Sequence, residues 1–309
     1  MGALTSSETG SLKRKVYFVV FAVALAAITL VGSILGQSGT RPLANAAGGV
    51  MINVVARRDD NATSPITSKE LSVYDNGMEQ AIRNFTPDPS PSHIVLLVDN
   101  SLSIRADVEK LEAAAREFAY EIFEGDKLLI VGYDEQAEIV ADWTDDAKSI
   151  ESSLKLFRKK GQPFLFDAIR AVIQEALQPV QNQKRIIVVI SDGLDRGSKS
   201  TFEQTLAELQ SENISVYAIQ AVDRTRGAIR RDVPKPKVVI DKLAEGTGGQ
   251  IFSIDHPSEA AKAICDELRK NRYVLSYVPS SAPYGQARSL LVLGNQGITV
   301  RAKSMQQPK

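Results

Sequence analysis

The chain has 309 residues, 43% hydrophobic and 24% charged, a composition that calls for a packed globular core and excludes a disordered or fibrous chain. Lys+Arg and Asp+Glu are both 37, for a formal net charge of +0, so no basic excess points to nucleic acid and no acidic excess to a polyanionic tail. One cysteine, Cys265, and two histidines, His93 and His256, exclude an intrachain disulfide and a zinc-type Cys/His cluster.

Lys13, Arg14 and Lys15 precede an uncharged apolar run from Val16 to Leu35. As a helix that run rises about 30 Å, the hydrocarbon thickness of a bilayer. The basic residues before it place the N-terminus, residues 1–15, in the cytoplasm. Residues 16–35 are therefore expected to span a membrane, and everything after the linker 36–49 to lie outside the cytoplasm. The alternative is a signal peptide cleaved near Ala46, since Ala44-Asn45-Ala46 has the small-x-small pattern. The apolar run is longer than a usual signal core and favours a retained anchor. Either way the rest is exported.

Residues 50–88 read as a β flank. Val50 to Ala56 is β-branched, Leu71 to Tyr74 is a second strand before the Asp75-Asn76-Gly77 turn, and Ala81 to Phe85 a third. Thr86 to Ser92, with three prolines, reads as a linker. From His93 the pattern changes. Ile94 to Val98, Leu128 to Tyr133, Arg185 to Ile190 and Ile214 to Gln220 are runs typical of strands buried on both faces. Ala137 to Ala141 and Gln250 to Ser253 are shorter strands. Between them, helical patterns cover 106–123, 145–157, 165–177, 201–209, 238–244 and 260–270. Alternating strands and helices over 93–271 predict an α/β, doubly wound, mainly parallel sheet. Residues 272–304 return to β, with strands over 273–278, 288–293 and 298–302. Neither flank can bury a face alone, so the two are expected to pack as one small sandwich.

In such sheets ligands sit outside the carboxyl ends of the strands. Two of those ends carry oxygen donors: Asp99-Asn100-Ser101-Leu102-Ser103, and Ser191-Asp192-Gly193. A carboxylate and two hydroxyls one residue apart, joined by a second carboxylate, make a hard, oxygen-only site suited to Mg²⁺ or Mn²⁺, with a position left for a carboxylate from a partner protein. The plainer readings are helix capping by Asp99 and Ser101 and an ordinary turn at Asp192 to Asp195. Asp134 and Asp167 read as supports of the fold. Arg224 to Arg231, with four arginines, reads as a solvated loop.

The Asp99-x-Ser101-x-Ser103 loop with the later Ser191-Asp192-Gly193 resembles the metal-ion-dependent adhesion site of von Willebrand factor type A (VWA) domains. Val131-Gly132-Tyr133-Asp134, Trp143-Thr144 and Leu165-Phe166-Asp167-Ala168-Ile169 resemble further landmarks of that family in the same order. The flanks, from Asn53-Val54-Val55 to Asp75-Asn76-Gly77, Gln80 and Phe85, and from Tyr273 to Pro279 with Val300 to Lys303, resemble exported bacterial proteins with VWFA-related acidobacterial domains. The likeness covers nearly all of 50–304. It implies Asp99, Ser101, Ser103 and Asp192 as metal ligands, direct or through water, and a binding module rather than an enzyme. It further implies a partner protein reached through an acidic side chain, and a bacterial inner-membrane protein facing the periplasm. Pro163 departs from the family, because it stands where a Thr is the remaining ligand and has no side-chain oxygen. Gln162 and Asp167 are the neighbours that could compensate; otherwise the site is degenerate and the protein a metal-independent scaffold. A Mg-dependent phosphatase using Asp99 as nucleophile is the enzymatic alternative. Against it, Ser101 stands where a second Asp is usual and no lysine is clearly placed.

Overall fold

The computed structural model describes residues 49–308 except Arg105, Leu156, Asn182, 222–233 and 281–284. The apolar segment 16–35, the linker up to residue 48, and the whole arginine loop 224–231 lie outside the described residues. Among those described, no helix is long and apolar enough to cross a membrane. They fall within one compact unit, Gly39–Lys309; the other, Met1–Ser38, is not described.

Four strands come first: β1 (Val50–Arg58), β2 (Leu71–Asp75), β3 (Met78–Gln80) and β4 (Ile82–Pro87). Asn76 and Gly77, at φ 50° and 78°, turn β2 back onto β3, since both residues tolerate the left-handed region. The strand expected over 81–85 is β4, which runs to Pro87, and the short β3 before it was not expected. β3 pairs with β2, and after Ala81 the chain crosses to a different sheet as β4.

β5 (Ser92–Asp99) opens the central sheet. Ile94, Leu96 and Val98 face one apolar cluster, Val95 and Leu97 the other, because successive side chains point to opposite faces. There follow α1 (Val108–Glu121), β6 (Lys127–Tyr133), β7 (Ala137–Thr144), α2 (Ala147–Leu154) and α3 (Leu165–Ala171), which continues as a π-helical turn, Val172–Leu177. Next come β8 (Lys184–Ser191), α4 (Phe202–Ser211), β9 (Ser215–Gln220), α5 (Pro236–Thr247), β10 (Ile251–Ser253) and α6 (Pro257–Lys270). The strand order is β10-β9-β8-β5-β6-β7, parallel throughout except for β7 at the edge. α1, α2 and α6 cover one face through Leu111, Phe118, Ile150 and Ile264. α3, α4 and α5 cover the other through Phe166, Ile169, Leu209 and Leu243. From β5 the chain builds outward through β6 and β7, then returns to β8 and builds the other way. The topological switch therefore lies between β5 and β8.

The chain closes with β11 (Arg272–Tyr277), β12 (Arg288–Gly294), β13 (Ile298–Ala302) and β14 (Met305–Gln306). Both flanks interleave in two four-stranded sheets, β13-β1-β11-β4 and β14-β12-β2-β3. Ile52, Val54, Val73, Leu275, Leu290 and Val292 share one core between them. This β unit is bonded to the end of the α/β unit where the parallel strands begin. Arg272 donates to the Ser215 hydroxyl (2.7 Å), Lys303 to the Gln210 carbonyl (2.8 Å) and Asn53 to the Asn213 carbonyl (2.8 Å). The Lys184 ammonium reaches the carbonyls of Asp88 (3.0 Å) and Leu268 (2.9 Å). The carboxyl ends of β5 and β8 point the other way and stay clear of the sandwich.

Candidate metal centre

Three loops meet at the switch point: 99–103 after β5, 160–164 before α3, and 191–196 after β8. Backbone hydrogen bonds stitch them together. Leu102 N–H donates to Gly161 O (3.1 Å), Lys160 N–H to Asn100 O (2.8 Å) and Arg196 N–H to Pro163 O (2.8 Å). Phe164 N–H donates to Asp134 O (2.9 Å), bringing in the loop after β6. Lys159 extends its ammonium to the Ile104 carbonyl beyond the first loop.

Asp99, the last residue of β5, is fully buried. Its Oδ1 accepts the Ser101 N–H (2.9 Å), and its Oδ2 accepts the hydroxyls of Ser191 (3.0 Å) and Tyr133 (3.1 Å). Burial pushes its pKa up, against those hydrogen bonds, which favour the carboxylate. Ser101 is 0% exposed; its hydroxyl makes no well-formed hydrogen bond but lies beside the Asp99 carboxylate and helps to hold that group's pKa down. Ser103 sits higher in the loop, with its hydroxyl 3.4 Å from Gln162 Oε1. Asp192 is 4% exposed, directly after β8, and its Oδ1 accepts the Leu194 N–H (2.9 Å). Gly193 makes this turn possible. Its φ is 85°, and a Cβ there would stand 2.4 Å from the Pro236 carbonyl oxygen.

The helix-capping reading does not hold for Asp99 and Ser101, because α1 starts at Val108 with Asp107 in the cap position. Asp99 instead closes an Asx turn on its own loop. Asp134 and Asp167 support the fold. Asp134 Oδ1 accepts the Gln136 N–H (3.0 Å). Asp167 accepts the amides of Lys199 (2.8 Å) and Ser200 (2.9 Å). Of the two oxygens that could stand in at the Pro163 position, Asp167 is thus committed elsewhere, while Gln162 lies beside Ser103. His93 packs edge-on against Trp143, and His256 caps α6.

Among the described residues no three His, Cys, Asp or Glu side chains converge. The donor set at the switch is of another kind: the carboxylates of Asp99 and Asp192 and the hydroxyls of Ser101 and Ser103, all hard oxygens. These residues therefore fit a small divalent cation that takes oxygen ligands. Ser191 was legible as part of the site's second loop, Tyr133 only as a family landmark and not as part of the site. The available signal was a tyrosine ending a wholly buried strand, whose hydroxyl must find a partner inside.

Oxygen donors gathered at the switch point of a doubly wound parallel sheet stand where α/β folds of this class bind ligands. Residues 94–194 match the von Willebrand factor type A domain family, and the chain carries a VWA domain. A solved von Willebrand factor type A protein from Catenulispora acidiphila is similar to 89% of this chain over 76% of its own, at 9% identity and a TM-score of 0.51. It speaks for the fold alone. An aerotolerance-related membrane protein from Bacteroides fragilis is 20% identical over 58% of this chain and 99% of its own, at a TM-score of 0.45. Proximal thread matrix protein 1 from the mussel byssus, with zinc occupying its MIDAS motif, is 13% identical over 62% of this chain and 48% of its own, at a TM-score of 0.47. No curated protein matches the chain in sequence.

Proposed function

We propose that the protein is a membrane-anchored, exported binding module whose VWA domain recognises a partner protein through a divalent cation at the β5–β8 switch. The observation that carries this reading is the pairing of the buried Asp99 carboxylate with the buried Ser101 hydroxyl at the β5–β8 switch, to which the Asp192 loop is bonded. Asp99, Ser101, Ser103 and Asp192 would hold the ion, with Gln162 as the oxygen nearest the place that Pro163 leaves without one. Mg²⁺ or Mn²⁺ suits this all-oxygen set and would supply a Lewis-acidic position for a partner's carboxylate. The chain's own contribution is to hold the donors rigid and to exclude water from Asp99. Anchoring rests on the segment Val16 to Leu35.

A second reading is favoured by Pro163, which offers no side-chain oxygen, and by the engagement of both Asp99 oxygens. In it the domain is a scaffold that binds its partner without metal. Calorimetric titration of the full chain with Mg²⁺ and Mn²⁺, beside Asp99→Ala, separates the two. Binding that is lost in the variant is expected; no binding by the intact chain would leave the scaffold. Turnover of a generic phosphoester that disappears in Asp99→Ala would instead point to a phosphatase.

A further inference from the structure

We propose that Tyr133 is the positioning residue of this centre: its buried hydroxyl fixes the loops carrying Asp99 and Asp192 in one arrangement. The inference rests on the metal-binding reading above. Tyr133 ends β6 and is 0% exposed. In the sheet, β6 and β8 lie on opposite sides of β5. The tyrosine side chain nevertheless reaches past the end of β5 to the far strand, placing its hydroxyl 3.1 Å from Asp99 Oδ2 and 2.9 Å from Ser191 Oγ. Ser191 closes the triangle on the same Asp99 oxygen at 3.0 Å. The Ser191 oxygen also accepts the Gly193 N–H at 2.9 Å. Since the Asp192 carboxylate is turned back onto Leu194 N–H, a continuous run of hydrogen bonds leads from Tyr133 through Ser191 to the whole Asp192 turn.

Packing does not explain the hydroxyl. A phenylalanine would fill the same place among Val131, Leu165 and Ile169 without burying a polar group. What the hydroxyl adds is geometry. With Ser191 donating to Oδ2 and Tyr133 donating to Ser191 while its oxygen stands 3.1 Å from the same Oδ2, Asp99 is held in one orientation, and Oδ1, which accepts the Ser101 amide, is the oxygen it offers to a ligand. Hydrogen bonds behind a metal-binding carboxylate set its orientation, and their removal typically lowers metal affinity about 10–100-fold.

The test is Tyr133→Phe and Ser191→Ala in the full chain, singly and together, titrated with Mg²⁺ and Mn²⁺. Amide hydrogen exchange at Ser101 and Gly193 is followed in the metal-free proteins. Each single variant is expected to lose about tenfold in affinity while keeping its circular dichroism, and the Gly193 amide to exchange faster. The double variant is expected to lose no more than the weaker-binding single, because both act through one network. Unchanged affinity and unchanged exchange in Tyr133→Phe, with the intact chain binding metal, would overturn the positioning role and leave the metal reading standing. Absence of binding in the intact chain would sink both. Should Tyr133→Phe fail to fold, Ser191→Ala carries the same expectation, since it leaves the ring in place.

Discussion

Asp99 places a carboxylate where water does not reach, and its protonation then bears on stability. Burial raises its pKa in the folded chain, so between the ordinary carboxylate value and the raised one the folded state binds more protons than the unfolded state. Stability falls as pH rises through that window and stays lowered above it. Asp99→Asn removes this penalty while keeping the size of the side chain. In metal-free urea titrations, the stability of Asp99→Asn relative to the intact chain should therefore increase from acid pH upward and level off above the raised pKa. A difference that is flat with pH would mean that Asp99 is not strained by burial. The same replacement should abolish stabilisation by Mg²⁺, because a neutral amide is a poor ligand for a hard cation. Pro163→Thr acts in the opposite direction. It restores a hydroxyl where the family has one and leaves the Pro163 carbonyl free to keep its bond from Arg196. An affinity gain of about tenfold, worth about 1.4 kcal/mol, is expected by calorimetry; no gain would show that Gln162 or water already fills that place.

The loop after β8 is held as a unit by α3. Asp167, in the first turn of that helix, accepts two amides from Lys199 and Ser200, while Asp195 takes the Ser198 hydroxyl (2.5 Å) and the Phe166 N–H (3.3 Å). Burial pushes the Asp167 pKa up, but the amides of Lys199 and Ser200 outweigh it and hold the value below the usual range. The sign is the reverse of that at Asp99: the stabilisation is present above the unfolded carboxylate pKa and is lost as pH falls through the folded one. Asp167→Ala should cost about 2 kcal/mol at neutral pH, and little below the folded pKa. Thermal unfolding at both pH values checks this. The helices and parallel strands that frame this loop were legible because each has its own period. Ile94 to Val98 and Arg185 to Ile190 alternate between two cores, and α1 repeats Leu111, Ala115 and Phe118 along one face. Legibility ended where a contact is not local. The stretch 165–177 has an unbroken helical pattern, and nothing in its spacing marks where α3 loosens into a π-helical turn. The crossing at Ala81 is invisible because three-residue β3 is too short to show a period. Within the site, the Asp-x-Ser-x-Ser spacing is local and readable. Tyr133 enters through side-chain hydrogen bonds across the sheet that no spacing encodes.

At the scale of the whole molecule, the sandwich is closed by strands from opposite ends of the described chain. β1 lies between β11 and β13, so the sheet that buries Ile52, Val54 and Leu275 cannot form until the α/β unit has brought its two ends together. The segment after β4 is correspondingly firm rather than a loose linker: Ser90 bonds to Asp88, Lys184 bonds to the Asp88 carbonyl, and Ser92 N–H donates to Asp126 (2.6 Å). Lys184, Arg272 and Lys303 are all buried and donate across the same junction. Such charge-assisted bonds contribute about 1.5–3 kcal/mol each, enough together to couple the two units into one transition. Calorimetry of the intact protein should therefore give a single peak whose van't Hoff and calorimetric enthalpies agree. Replacing Arg272, Lys303 and Asn53 together by alanine removes three of the bonds that bridge the units while leaving each core intact. That triple variant should melt in two steps, with the sandwich first, because its core draws on shorter strands and includes no helix. Two separate transitions in the intact protein would show that the junction carries little free energy and that the sandwich is an independently stable module on which the α/β domain is merely mounted.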